Sequence, residues 1–148
     1  MQNMINMKTK IITLLILFIT VFINAQTVLG KWNSKDEKTG EIDSVVEIYE
    51  KDGKVFAKII DIKDPTLRGT LCTLCKGSKK NKPTLGMHIL YKLEQKKYNK
   101  WSGGYGLDPR TGNYFNVYIK LVKPNKLKVR GYAGIPLFGK TVYWYRVE

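Results

Sequence analysis

Cysteine, histidine and acid are all scarce in this chain of 148 residues. There are two cysteines and one histidine. A structural zinc site takes four ligands, usually two cysteine pairs or cysteines with added histidines. Cys72, Cys75 and His88 fall short of such a set, so no metal site is expected. Carboxylates number 12 against 26 lysines and arginines, a net charge of +14. Asp61, Asp64 and Asp108 lie at strand ends and turns, where aspartate caps backbone groups. Glu47 lies on the polar side of its strand, and each carboxylate has basic neighbours. No carboxylate pair offers acid–base chemistry at neutral pH, so no catalytic residue and no cofactor are expected. Arginine is scarce too, restricted to Arg68, Arg110, Arg130 and Arg146. Readers of base sequence lean on the planar arginine fork. A lysine excess instead implies a solvated basic face with non-specific attraction to anionic surfaces. No specific nucleic-acid partner is expected.

Long apolar runs are also missing. The one apolar segment, residues 11–23, is shorter than the roughly 18 residues a membrane-spanning helix needs. It follows Lys8 and Lys10 and precedes Asn24-Ala25. Basic residues, an apolar run and a small residue in that order read as a secretory signal peptide over residues 1–25. No cysteine follows the cleavage point for a lipid anchor. The expectation is an exported protein, periplasmic or extracellular, with a single domain at 26–148 and no membrane-spanning segment in the mature chain. Loss of Lys8 and Lys10 lowers the net charge from +14 to +12.

Helical periodicity is absent beyond residue 25, and period-two alternation is common. Ile42, Ser44, Val46 and Ile48 alternate with Asp43, Val45, Glu47 and Tyr49. Asp52-Gly53 is a hairpin signal, and residues 55–62 return as the partner strand. Further strands are expected at residues 87–93, 101–107, 115–121, 127–132 and 140–147. Phe115, Val117, Ile119 and Leu121 form the cleanest apolar stripe. Short strands joined by tight turns argue for an antiparallel meander. With about eight strands, closure into an up-and-down β-barrel removes exposed edges. Gly30-Lys31-Trp32 at the start and Trp144-Tyr145-Arg146 at the end bracket this all-β region. There Trp32 plugs the barrel floor and Arg146 stacks on it.

Residues 63–84 show no strand or helix pattern, and long loops in compact domains are usually functional or disordered. This loop carries Cys72 and Cys75. After export the pair is expected as a small disulfide staple. A thioredoxin-like role would need a helix after the first cysteine, and Lys76-Gly77-Ser78 reads as turn.

In this order and spacing, several short motifs resemble the secreted bacterial domain of unknown function family 2147, over about residues 30–146. They are Gly30-Lys31-Trp32; Val46-Glu47-Ile48-Tyr49; Lys63-Asp64-Pro65; Leu85-Gly86-Met87 before Ile89-Leu90; Trp101-Ser102-Gly103-Gly104; Asp108-Pro109 with Gly112 and Tyr114; and Leu127-Lys128-Val129-Arg130-Gly131-Tyr132. The resemblance implies a lipocalin-like barrel and transfers no catalytic residues. The run from Ser102 to Leu107 is richer in glycine than the family pattern.

Two roles stay open beside a thiol–disulfide one. In the first, a small apolar or amphipathic ligand sits in the interior. Phe115, Val117, Ile119, Val46, Ile48 and Val129 would line it, Trp101 and Tyr114 would stand near the mouth, and the cysteine loop would act as a lid. In the second, the barrel is filled with side chains, and its basic exterior or long loop meets an anionic envelope surface or a protein.

Overall fold

The computed structural model describes residues 27–36 and 38–148; the expected leader, residues 1–25, lies outside them. Eight strands follow in chain order: β1 (Gly30–Lys35), β2 (Ile42–Lys51), β3 (Lys54–Ile62), β4 (His88–Lys97), β5 (Lys100–Asp108), β6 (Asn113–Lys123), β7 (Lys126–Tyr132) and β8 (Gly139–Arg146). Each pairs antiparallel with the next, and β8 returns to β1, closing the barrel.

Strand β6 shows how the pattern makes two faces. Val117, Ile119 and Leu121 are buried in the main apolar cluster, with Phe115 packed against it. Tyr114, Asn116, Tyr118 and Lys120 point outward, as a period of two requires. Register carries these faces around the wall: Ile119 stands opposite Trp101 and Val129, and Val117 opposite Gly131. Two bulges break the alternation expected from sequence. One lies between Val45 and Val46 and lets both valines be buried. The other lies at Lys92, whose φ of 56° brings Leu90 and Leu93 to the same inner face. A bulge inserts one residue and sharpens local twist, which a small closed barrel needs.

The up-and-down path gives the barrel two unlike ends. The turns at residues 52–53, 98–99 and 124–125 share one end with the entry to β1. The longer connections at 36–41, 63–87, 109–112 and 133–138 share the other.

The short-turn end is closed by Arg146. Its guanidinium lies 4.3 Å over the Trp32 ring. It donates to the carbonyls of Thr27 at 2.7 Å, Leu29 at 2.9 Å and Pro124 at 2.9 Å. Trp32 donates its own indole N–H to Val28 at 2.9 Å. Both residues take the floor positions expected from sequence. Trp32→Ala removes a fully buried ring and should cost about 3–5 kcal/mol in urea unfolding; an unchanged midpoint would show that the indole is not the floor.

Candidate functional site

The inner face holds the residues that the sequence assigns to the interior. Val46, Ile48, Val117, Ile119 and Val129 are buried in one continuous cluster with Trp32, Trp101 and Trp144. Phe115 differs from them in being only partly buried. It faces inward opposite Gly106, with Gly131 on the next strand. A Cβ at Gly131 would come within 2.9 Å of the Phe115 ring, and one at Gly106 would overlap it. The ring thus fills the space that two missing side chains leave, near the long-loop end.

Trp101 and Tyr114 do not share a mouth. Tyr114 stands at the long-loop end and is 52% exposed. Trp101 begins β5 at the short-turn end, 6% exposed and packed among the core residues. Direction explains the difference: β5 and β6 run antiparallel, so the start of each lies at an opposite end.

The cysteine loop also departs from expectation. Cys72 and Cys75 form a disulfide. They are buried with Met87 and Leu107, against Tyr91. Leu107 pairs with Tyr114 on the outer face, so the loop packs against the outer wall of β4 and β5 and acts as a buttress, not a lid. The apolar sulfurs and Met87 need cover, and an outward-facing leucine supplies it.

Above this buttress runs a row of aromatics that sequence reading missed. Tyr49 stacks on Phe56 with ring centroids 5.9 Å apart, and Tyr91 stacks on Tyr105 at 4.8 Å. The Tyr49 hydroxyl and His88 Nε2 share a hydrogen bond of 2.6 Å. Tyr91 donates to the His88 carbonyl at 2.7 Å. Burial foremost, with the neighbouring tyrosines, pushes the Tyr91 phenol up to about 12, so it stays a donor. Further along, Tyr105, Tyr114, Phe115, Asn116, Tyr132 and Ala133 line an open depression of about 230 Å³. Period-two spacing placed each of these tyrosines outward. Only register shows which ones meet.

The rim at the long-loop end is apolar. Leu137 is 75% and Phe138 69% exposed. Their loop is held by Arg130, which donates to the carbonyls of Pro136 at 2.8 Å and Leu137 at 3.1 Å, and to Thr141 Oγ1 at 2.8 Å. The carboxylates at this end serve the backbone and nearby cations. A hydrogen bond from Lys63 holds Asp61 below its ordinary range, and one from Thr66 does the same for Asp64.

Eight antiparallel strands closed around an apolar interior define a lipocalin-like β-barrel. A solved structure of HP1028 from the human pathogen Helicobacter pylori, described as belonging to the lipocalin family, shares the fold. Its TM-score is 0.73 at 20% identity, covering 82% of this chain and 84% of that one. Residues 30–146 match the family model described as an uncharacterized protein conserved in bacteria (DUF2147), and the chain belongs to that family. No curated protein matches it in sequence.

Two outcomes follow from this geometry. Cys72 is 0% and Cys75 3% exposed, so dithiothreitol should leave the bridge intact until denaturant is added, as thiol labelling reads. Replacing both by serine should cost on the order of 2 kcal/mol or less, because the ring is short. Burial foremost, then Lys79, Lys58 and Lys51, lowers His88 from its ordinary 6.5. The unfolded chain then takes the proton more readily than the native one. Stability from this group is complete above about pH 6.5 and falls as pH drops through the lowered native value. A His88→Gln variant should lose that part of the acid sensitivity, read from melting temperature against pH.

Proposed function

We propose that the barrel binds a small apolar or amphipathic molecule, taken in at the long-loop end, and that it acts without catalysis. Phe115 carries this reading. It is an inner-face ring, partly exposed, seated over two glycines at the end ringed by longer loops. Turning that ring outward would open apolar space without disturbing a neighbouring side chain at 106 or 131. The depression beside it, about 230 Å³, is below the roughly 300 Å³ at which pockets for drug-sized ligands begin. A larger guest therefore needs the ring to move. The apolar rim at Leu137 and Phe138 suits an entering molecule of the same character. The non-catalytic part of the reading rests on the state of the reactive groups: both thiols are spent in the disulfide, and the imidazole is engaged by Tyr49. Export belongs to the reading as well. The leader-like residues 1–25 support it, as does the disulfide, since such bridges persist in oxidising compartments.

A second reading makes the protein an interaction module acting through its basic surface and long cysteine loop. The packing of Val46, Ile48, Val117, Ile119 and Val129 with all three tryptophans favours it, because the chain's own side chains occupy that part of the interior.

Native mass spectrometry on protein recovered from its own host separates the two. An extra mass that organic extraction removes is the expected result and identifies the ligand. Bare protein, two mass units below the reduced form, would leave the interaction module. In parallel, Phe115→Ala should raise the fluorescence of bound N-phenylnaphthylamine several-fold; an unchanged signal would show that the ring does not gate the interior.

A further inference from the structure

Charge is divided unevenly around this barrel. Residues 95–147, which hold all of β5 to β8, contain eleven lysines and arginines and one acid, Asp108. Nearly all the other acids lie on the half built from β1 to β4. There they pair: Lys58 with Glu47 at 3.0 Å and Lys54 with Glu94 at 3.1 Å.

On the acid-poor half the lysines stand in register. Lys97 is opposite Lys100, Lys100 opposite Lys120, and Lys120 opposite Lys128. A shorter row, Lys123 opposite Lys126, lies beside it. Like charges directly opposed across strands destabilise a sheet. None of these six lysines has a carboxylate within 4.0 Å among the described residues. Tyr118 offsets part of the repulsion, since its ring lies 4.2 Å from Lys100 Nζ and 5.8 Å from Lys128 Nζ.

We propose that the row Lys97–Lys100–Lys120–Lys128 is a binding site for a linear, phosphate-bearing polymer without bases, of the polyphosphate or polyol-phosphate kind. The inference narrows the interaction-module reading to one face and one ligand chemistry, and it is independent of what the interior holds. Three observations select the ligand. First, strands lie about 4.8 Å apart, so the row presents four ammonium groups in single file over roughly 14 Å. A chain of regularly spaced anions can follow it. Second, the groups are lysines. They act as compact point charges toward phosphate, whereas carboxylate is matched by the arginine fork. Third, the adjacent rings are already covered by cations: Tyr118 by Lys100, and Tyr143 by Lys126 at 4.4 Å. Nucleic acid bound as a single strand needs free aromatic faces for its bases, and these two are taken.

The test uses the exported protein and a row variant, Lys100→Gln with Lys120→Gln and Lys128→Gln. A charge-matched control carries Lys76→Gln, Lys80→Gln and Lys82→Gln in the cysteine loop. Binding of long-chain inorganic polyphosphate is measured against salt, with melting temperature read alongside. Wild type and control should bind alike. The row variant should bind at least about tenfold more weakly, with a salt slope shallower by about 0.7 per lysine removed. Without polyphosphate it should melt higher than wild type, because the repulsion is gone.

Equal losses in row variant and control would overturn the row and leave binding to net charge alone. A single-stranded oligonucleotide that binds as tightly as polyphosphate, and is lost with the row, would overturn the choice of ligand. Phosphatidylglycerol vesicles that bind where polyphosphate does not would overturn it in favour of a lipid surface. A row variant that melts lower than wild type would remove the argument from repulsion.

Discussion

The rest of the structure depends on the meeting of Arg146 with Trp32. An open eight-strand meander leaves two unpaired edges, and only the pairing of β8 with β1 removes them. That pairing is short: Trp32 with Arg146 and Asn33 with Tyr145. One guanidinium reinforces it by stacking on the indole and donating to carbonyls before β1 and in the β6–β7 turn. Burial lowers the guanidinium pKa, yet arginine remains charged throughout the ordinary pH range. The closure therefore does not depend on pH. Two residues more than a hundred positions apart thus tie both ends of the barrel-forming chain to one floor.

Closure then imposes different chemistry on the two sides of each strand. The inner side must fill a narrow space, and it does so with valine, leucine, isoleucine and three tryptophans. Where the space narrows further, Gly106 and Gly131 give way to Phe115. The outer side has room for long polar chains. Here tyrosines and lysines alternate and pair, as Lys35 does over Tyr145 and Lys126 over Tyr143. The same strand, β5, shows both demands: Trp101 turns into the core and Leu107 turns out to carry the cysteine loop.

Much of this was legible in residue order. Alternation in β6, the Asp52-Gly53 turn and the terminal Trp and Arg pointed to a closed antiparallel barrel with its floor at Trp32. The candidate site was less legible. Val46, Ile48, Val117, Ile119 and Val129 were placed correctly on the inner face, because apolar alternation fixes a face. Trp101 was placed at the wrong end, because alternation carries no information about height along the barrel axis. Val45 and the Leu90–Leu93 spacing escaped because bulges leave only a weak trace in a single sequence. The contact of Tyr49 with His88, 39 positions apart, depends on the register of β2, β3 and β4 together.

The sequence by itself determined the class of fold, the inner and outer faces, the disulfide partners and the excess of positive charge. These follow from local spacing and composition, which act along the chain. Tertiary structure alone decided that the cysteine loop braces a wall, that Phe115 covers two glycines and that lysines from four strands stand in file. Each of these depends on register between strands, and register is set by closing the whole barrel at once.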